Sequence, residues 1–114
     1  MSLYPDVPYE YAASAAGLLF TAGACPLDED GKVVAGGLEA QAHRALDNLL
    51  AVLGERKIVK TTVYVVARGQ DDLLRAWRVV EKRLAPARPP STLVGVSLLG
   101  YTGQLFEIEA VAAE

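Results

Sequence analysis

Two glutamates near the C-terminus, Glu107 and Glu109, are the residues of this chain best placed to do chemistry. In an extended Leu105–Val111 segment, Leu105, Glu107, Glu109 and Val111 point one way while Phe106, Ile108 and Ala110 point the other. That spacing sets the two carboxylates about 7 Å apart on one face. The segment is apolar enough to be largely buried, and a carboxylate there must be paired, protonated or put to use. Both could meet arginines or solvent at a wet interface, as structural ion pairs in sheets do. Alternatively one of them serves as a general acid/base or positions a water, its proton affinity raised by partial desolvation.

Other reactive side chains are weaker candidates. Arg88, just before Pro89-Pro90, could clamp a carboxylate through two parallel hydrogen bonds, or simply sit on the surface at a helix exit. His43 is the only histidine, so a metal site has no second imidazole to build on, and a solvated position is expected. Cys25, next to Pro26, has no neighbouring base in sequence; a small buried hydrophobe is expected rather than a reactive thiol. Trp77 falls in an apolar stripe and reads as core or as the wall of a cleft. Arg75, Arg78 and Lys82 form the outer, solvated side of the same helix. The chain has no phosphate loop, no Ser-His-Asp arrangement and no zinc-ligand spacing.

The elements that must position these residues follow from hydrophobic period. Tyr9–Ala13 and Leu18–Ala22 are short strand candidates joined at Ala16-Gly17; Pro26 stops the second, Asp28–Gly31 turns, and Val33-Val34 begins a short returning strand. After Gly36-Gly37 the period becomes helical. Leu38, Ala42, Ala45, Leu46, Leu49 and Leu53 form the inner stripe, Glu39, His43 and Asp47 a polar one, and Gly54 the C-cap. Ile58–Val66 (IVKTTVYVV) is the strongest strand. A second helix over Leu73–Leu84 buries Leu73, Trp77, Val80 and Leu84, and Pro86, Pro89 and Pro90 end it. Thr92–Leu99 and Leu105–Val111 flank Gly100-Tyr101-Thr102-Gly103, a pattern that predicts a β-hairpin. The order ββ(β)-α-β-α-ββ gives an α+β fold, a mixed sheet with two helices on one face. With no third layer in so short a chain, the sheet's other face is expected to be covered by another subunit.

Composition limits function. The 114 residues form a single domain, 1–114, with one core. A hydrophobic content of 52% is high for a small monomer and favours an oligomer. The net charge of −3 offers no electrostatic reason for a nucleic-acid partner. A single cysteine allows no internal disulfide, which fits a reducing, cytoplasmic location. No signal peptide is expected from the N-terminal residues, and no run reaches the ~20 apolar residues of a membrane span.

Read together, several stretches resemble the RidA (YjgF/YER057c/UK114) family of reactive-intermediate deaminases. They are Pro8-Tyr9, Leu19-Phe20-Thr21-Ala22-Gly23 with Pro26, Asp30–Val34, Gln41 with Ala45–Leu49, Ile58–Val65 and Phe106–Ala112, and they run in order through nearly the whole chain. The resemblance implies a chorismate-mutase-like α+β fold assembled as a homotrimeric barrel, helices outside, with small-molecule clefts between subunits. It also implies hydrolysis of 2-imino or 2-enamino acids to 2-oxo acids and ammonia, with no metal or cofactor. Carried over by position, Glu107 matches the glutamate that positions the attacking water. Tyr9 matches the cleft tyrosine, Ala22-Gly23 the backbone lining the site, and Trp77 another cleft-lining side chain.

Several positions depart from the family pattern, among them Ala24, where glutamine is common, and the tight link at Gly54–Lys57; the decisive one is in the strand after the second helix. The arginine that clamps the substrate carboxylate is replaced by Ser91, and Leu93 stands where a cysteine is often found. Arg88 lies three residues earlier, behind two prolines that restrict its swing. A charged hydrogen bond contributes about 1.5–3 kcal/mol, so loss of a bidentate clamp would weaken α-keto-acid-type substrates by at least one to two decades. The expectation is therefore an arginine-lacking member that binds a small metabolite between subunits, with imine hydrolysis as candidate reaction. In it Glu107 positions water, Ser91 and backbone amides hold the ligand, Arg88 and Trp77 border it, and Tyr9 closes the cleft. The alternatives are a non-catalytic regulatory trimer and the ribonuclease or translation-inhibitor activity assigned to some relatives.

Overall fold

The computed structural model describes residues 2–114. Its elements are β1 (Ala12–Ala15), β2 (Leu18–Thr21), α1 (Gly37–Leu53), β3 (Ile58–Val66), α2 (Gln70–Leu84), β4 (Ser91–Val96) and β5 (Phe106–Ala113). The strands form one mixed sheet in the order β1-β2-β5-β3-β4. Only β3 and β4 are parallel, joined through α2 in a β-α-β unit. Among the described residues no helix is long and apolar enough to cross a membrane.

Local chemistry accounts for most boundaries. Ala16 (φ 54°) and Gly17 (φ 77°) both turn with positive φ, which lets a two-residue loop match the twist of β1 and β2. Gly54 takes φ 60° and its N–H reaches the carbonyl of Leu50, closing α1. The stripe Leu38, Ala42, Ala45, Leu46, Leu49 and Leu53 is buried throughout, as its period requires. β3 runs over the span its β-branched composition marks out. α2 begins at Gln70, one turn before Leu73, because Asp71 and Asp72 are favourable in a first helical turn. Val33 makes only an isolated bridge to Leu27, not a strand.

The hairpin predicted for the C-terminal region does not form. β5 pairs antiparallel with both β2 and β3, while β4 pairs with the far edge of β3, so β3 lies between the two segments. The glycine-bearing connection at residues 97–105 is a crossover between non-neighbouring strands. Local sequence carries the turn signal, but partner choice is made by α2, which delivers β4 parallel to β3.

Both helices pack on one side of the sheet. Phe106, Ile108, Ala110 and Ala112 of β5 and Val63 and Val65 of β3 are buried beneath them, and Leu93 of β4 packs against the same cluster. On the opposite face Thr62, Tyr64, Val66, Glu107, Glu109 and Val111 are half-buried; on that side Phe20 is 45% and Val94 36% exposed. Among the described residues nothing forms a second layer on that face. Between the helices, Arg75 is not simply solvated: it bridges Glu39 (2.6 Å) and Asp72 (3.0 Å), and Arg83 bridges Asp47 (2.6 Å).

Candidate active site

Glu107 and Glu109 share the open face of β5, but their surroundings separate them. Glu109 accepts a hydrogen bond from the Tyr64 hydroxyl across the strand pair (3.0 Å), a structural partnership. Glu107 sits at the end of β5 where the chain leaving β2 runs alongside. Ala24 and Ile108 exchange backbone hydrogen bonds there (2.6 and 3.2 Å), which turns Ala24 into the core and places Gly23 and Cys25 beside Glu107. Glu107 Oε1 accepts from the Cys25 thiol (3.3 Å) and from the Gln104 amide (3.1 Å). A Cβ on Gly23 would lie 2.0 Å from Glu107 Oε2, so residue 23 must be glycine for the carboxylate to occupy this place.

The crossover loop supplies the rest. Buried Gln104 also donates to the Phe106 carbonyl (3.0 Å) and accepts from the Tyr101 backbone N–H (3.1 Å). Gln41 of α1 pins the loop, donating to the Gly103 carbonyl (3.0 Å) and accepting from the Leu105 N–H (2.7 Å). The Tyr101 and Tyr9 hydroxyls are 3.2 Å apart, tying the N-terminal segment over the same region. Tyr9 stacks edge-on to Tyr11, whose hydroxyl donates to the Tyr4 carbonyl. Asn48 of α1 donates to the carbonyls of Cys25 (2.9 Å) and Leu27 (3.0 Å), fixing the backbone under the thiol.

Burial governs the electrostatics. It pushes the Cys25 thiol up to about 12, with the adjacent negative charge of Glu107 adding to the shift, so the thiol is a neutral donor at physiological pH. Burial, then the hydrogen bond with Tyr101, also raises Tyr9 well above the usual phenol range. The neighbourhood of Glu107 is thus built from uncharged hydroxyl, thiol and amide groups around one carboxylate. Among the described residues no group of three or more His, Cys, Asp and Glu side chains could hold a metal ion.

The six residues singled out from sequence fall into two groups. Tyr9, Gly23 and Glu107 belong to the cluster just described. Ser91 lies on the helix-facing side of β4, two residues before the core residue Leu93, and is held by the buried Thr61 hydroxyl (2.7 Å). Half-buried Trp77 and exposed Arg88 line a separate pocket with Thr61, Val80, Leu84 and Pro89. Ser91 and Glu107 therefore occupy opposite faces of one sheet. Gln104, Tyr101 and the hydrogen-bonding role of Cys25 were not singled out from sequence; Cys25 is buried as expected but is not merely apolar filling. The available signal was a glutamine set between Gly103 and an apolar strand, where a buried amide must find partners.

Comparison with known proteins agrees with this architecture. A family model described as Endoribonuclease L-PSP matches residues 1–114. The RutC family protein UK114 of Drosophila melanogaster is 40% identical over 116 residues, covering 89% of this chain and 84% of that protein. A RutC family protein of Pyrococcus abyssi is 32% identical over 114 residues, covering 95% and 87%. Among solved structures, the Escherichia coli YjgF gene product superposes with a TM-score of 0.82 at 28% identity, covering 96% of this chain and 91% of that one. YyfA of the Rid family, from Yersinia pestis, superposes with 0.83 at 30% identity, covering 94% and 88%. A family-model match from end to end, relatives on both sides of 35% identity and the same helix-backed mixed sheet place this chain in the RidA/YjgF/UK114, or Endoribonuclease L-PSP, family.

Proposed function

We propose that this protein is a cofactor-independent imine or enamine hydrolase whose clefts lie between the subunits of a homotrimer. The observation that carries this reading is the carboxylate of Glu107, held half-buried on an uncovered sheet face and fixed on one oxygen by two neutral donors. The reaction balances without an added co-reactant. Glu107 takes a proton from water as the water oxygen bonds to the imine carbon and the C=N π electrons move to nitrogen. The proton then passes to nitrogen, giving the tetrahedral amino alcohol; the hydroxyl proton of that adduct moves to nitrogen, through Glu107, as the C–N bond breaks, so that ammonia leaves and the carbonyl forms. An enamine first gains a proton at carbon to become the imine.

Because Ser91 and Glu107 face opposite ways, one chain cannot offer both to one ligand. In the proposed assembly Ser91, Arg88 and Trp77 of one copy border the crevice containing Glu107, Gly23 and Tyr9 of the next. Without an arginine at position 91, binding of a substrate carboxylate is weak, and the standard 2-imino acid deaminase activity is correspondingly low. Ammonia release from freshly generated 2-iminopropionate tests this. The expected result is a rate above the protein-free control, lost in Glu107→Gln and raised in Ser91→Arg. A wild-type rate equal to the control, or a Glu107→Gln variant as fast as wild type, would overturn the hydrolase and leave a metabolite-binding trimer. RNA cleavage as the family's name suggests has little support from a chain of net charge −3.

A further inference from the structure

We infer that Gln104, seconded by Cys25, is a positioning residue that holds Glu107 Oε1 and reserves Oε2 for the ligand or its water. This rests on the hydrolase reading for its consequence, but not for its geometry. Gln104 is almost fully buried and every polar atom it has is engaged. Its carbonyl oxygen takes the Tyr101 N–H, so its amide nitrogen must face Glu107 and Phe106 and can only donate there. The orientation of the amide is thereby fixed by the backbone on both sides.

Cys25 approaches the same oxygen from the other flank. Its single hydrogen has two acceptors in reach, Glu107 Oε1 at 3.3 Å and the Gly23 carbonyl at 3.5 Å. With the thiol proton retained, the nearer acceptor being a carboxylate favours donation to Glu107. Oε2, by contrast, receives no hydrogen bond from any described residue, yet is not among the fully buried unpartnered atoms. It lies against the bare Cα of Gly23, in the space a side chain would fill. One oxygen is thus tied back by donors and the other is left reachable. A carboxylate fixed in this way presents a defined lone pair, and reacting geometry is sensitive to displacements of about 1 Å.

Infrared spectroscopy of the wild-type protein tests the geometry without reference to turnover. With only one cysteine, the S–H stretching band belongs to Cys25 alone. It is expected lowered and broadened by donation to a carboxylate. It should shift upward in Glu107→Gln, and further downward in Gln104→Met, where the thiol is left as sole donor to Oε1. A band indifferent to Glu107→Gln overturns the inference. In turnover, Gln104→Met should lower kcat about tenfold with KM within about twofold. Cys25→Ser, which keeps a donor, should exceed Cys25→Ala in kcat. A Gln104→Met effect confined to KM, or equal rates for the two Cys25 variants, also overturns it. If wild type releases no ammonia at all, the hydrolase reading fails by itself and the S–H band decides the positioning claim.

Discussion

At the scale of single residues, the site turns on how close Glu107 lies to the backbone of residue 23. In Gly23→Ala the added methyl would meet Oε2, Cδ and Cγ of Glu107, the far end of a flexible side chain, so the carboxylate gives way rather than the strand. The expected outcome is a fall in kcat of about 100-fold with a melting temperature within about 4 °C of wild type; thermal melts run beside ammonia-release assays check both halves. Cys25 makes a pH prediction. Its folded value of about 12 lies above the ordinary 9.0, so the folded state keeps a proton that the unfolded chain loses. The contribution is fully present below pH 9.0 and is lost as pH rises through about 9 to 12, and denaturant titrations of Cys25→Ala should show a shallower alkaline decline. The place of Glu107 on the open sheet face was legible in sequence because alternation along one strand is local information. Its partners were not, because the Cys25 contact joins residues 82 apart and only the fold brings them together.

Elements show the same division between local and long-range information. The inner stripe of α1, the Gly54 cap and the span of β3 follow from period, glycine conformation and β-branching, all of which act within a few residues. The pairing of β4 and β5 does not, since insertion of β3 between them is decided by the path of α2. Gln41 is the hinge pin of the crossover loop, and its place in the helix gave no hint of that role. Gln41→Leu would leave the Gly103 carbonyl and the Leu105 N–H without protein partners in a part-buried setting, a cost of about 1–2 kcal/mol that urea unfolding would read. The ion pair between helices behaves differently. Arg75 holds the Glu39 carboxyl down to about 2, so its contribution is present above the usual carboxylate range and lost as pH falls towards 2. Because both side chains are well exposed and water screens the pair, Arg75→Ala should shift the urea midpoint only slightly at neutral pH.

For the whole molecule, composition foretold a surplus of apolar surface, and the structure locates it. One face of the sheet carries the helices and the other leaves Phe20 and Val94 open around Tyr64, Glu107 and Glu109. What composition could not supply is the face that each candidate residue takes. Ser91 and Glu107 meet only if copies of the chain share their crevices, so assembly and activity are expected to fail together. Val94→Asp, placing a charge on the open face beside β3, should yield a folded single chain that releases no ammonia from the imine. The most direct measurement is therefore molar mass by light scattering on a dilution series, with imine hydrolysis followed in the same samples. A mass of three 12.1 kDa chains, with activity declining as the assembly dissociates, is the predicted result. A 12.1 kDa particle that retains full activity would contradict it.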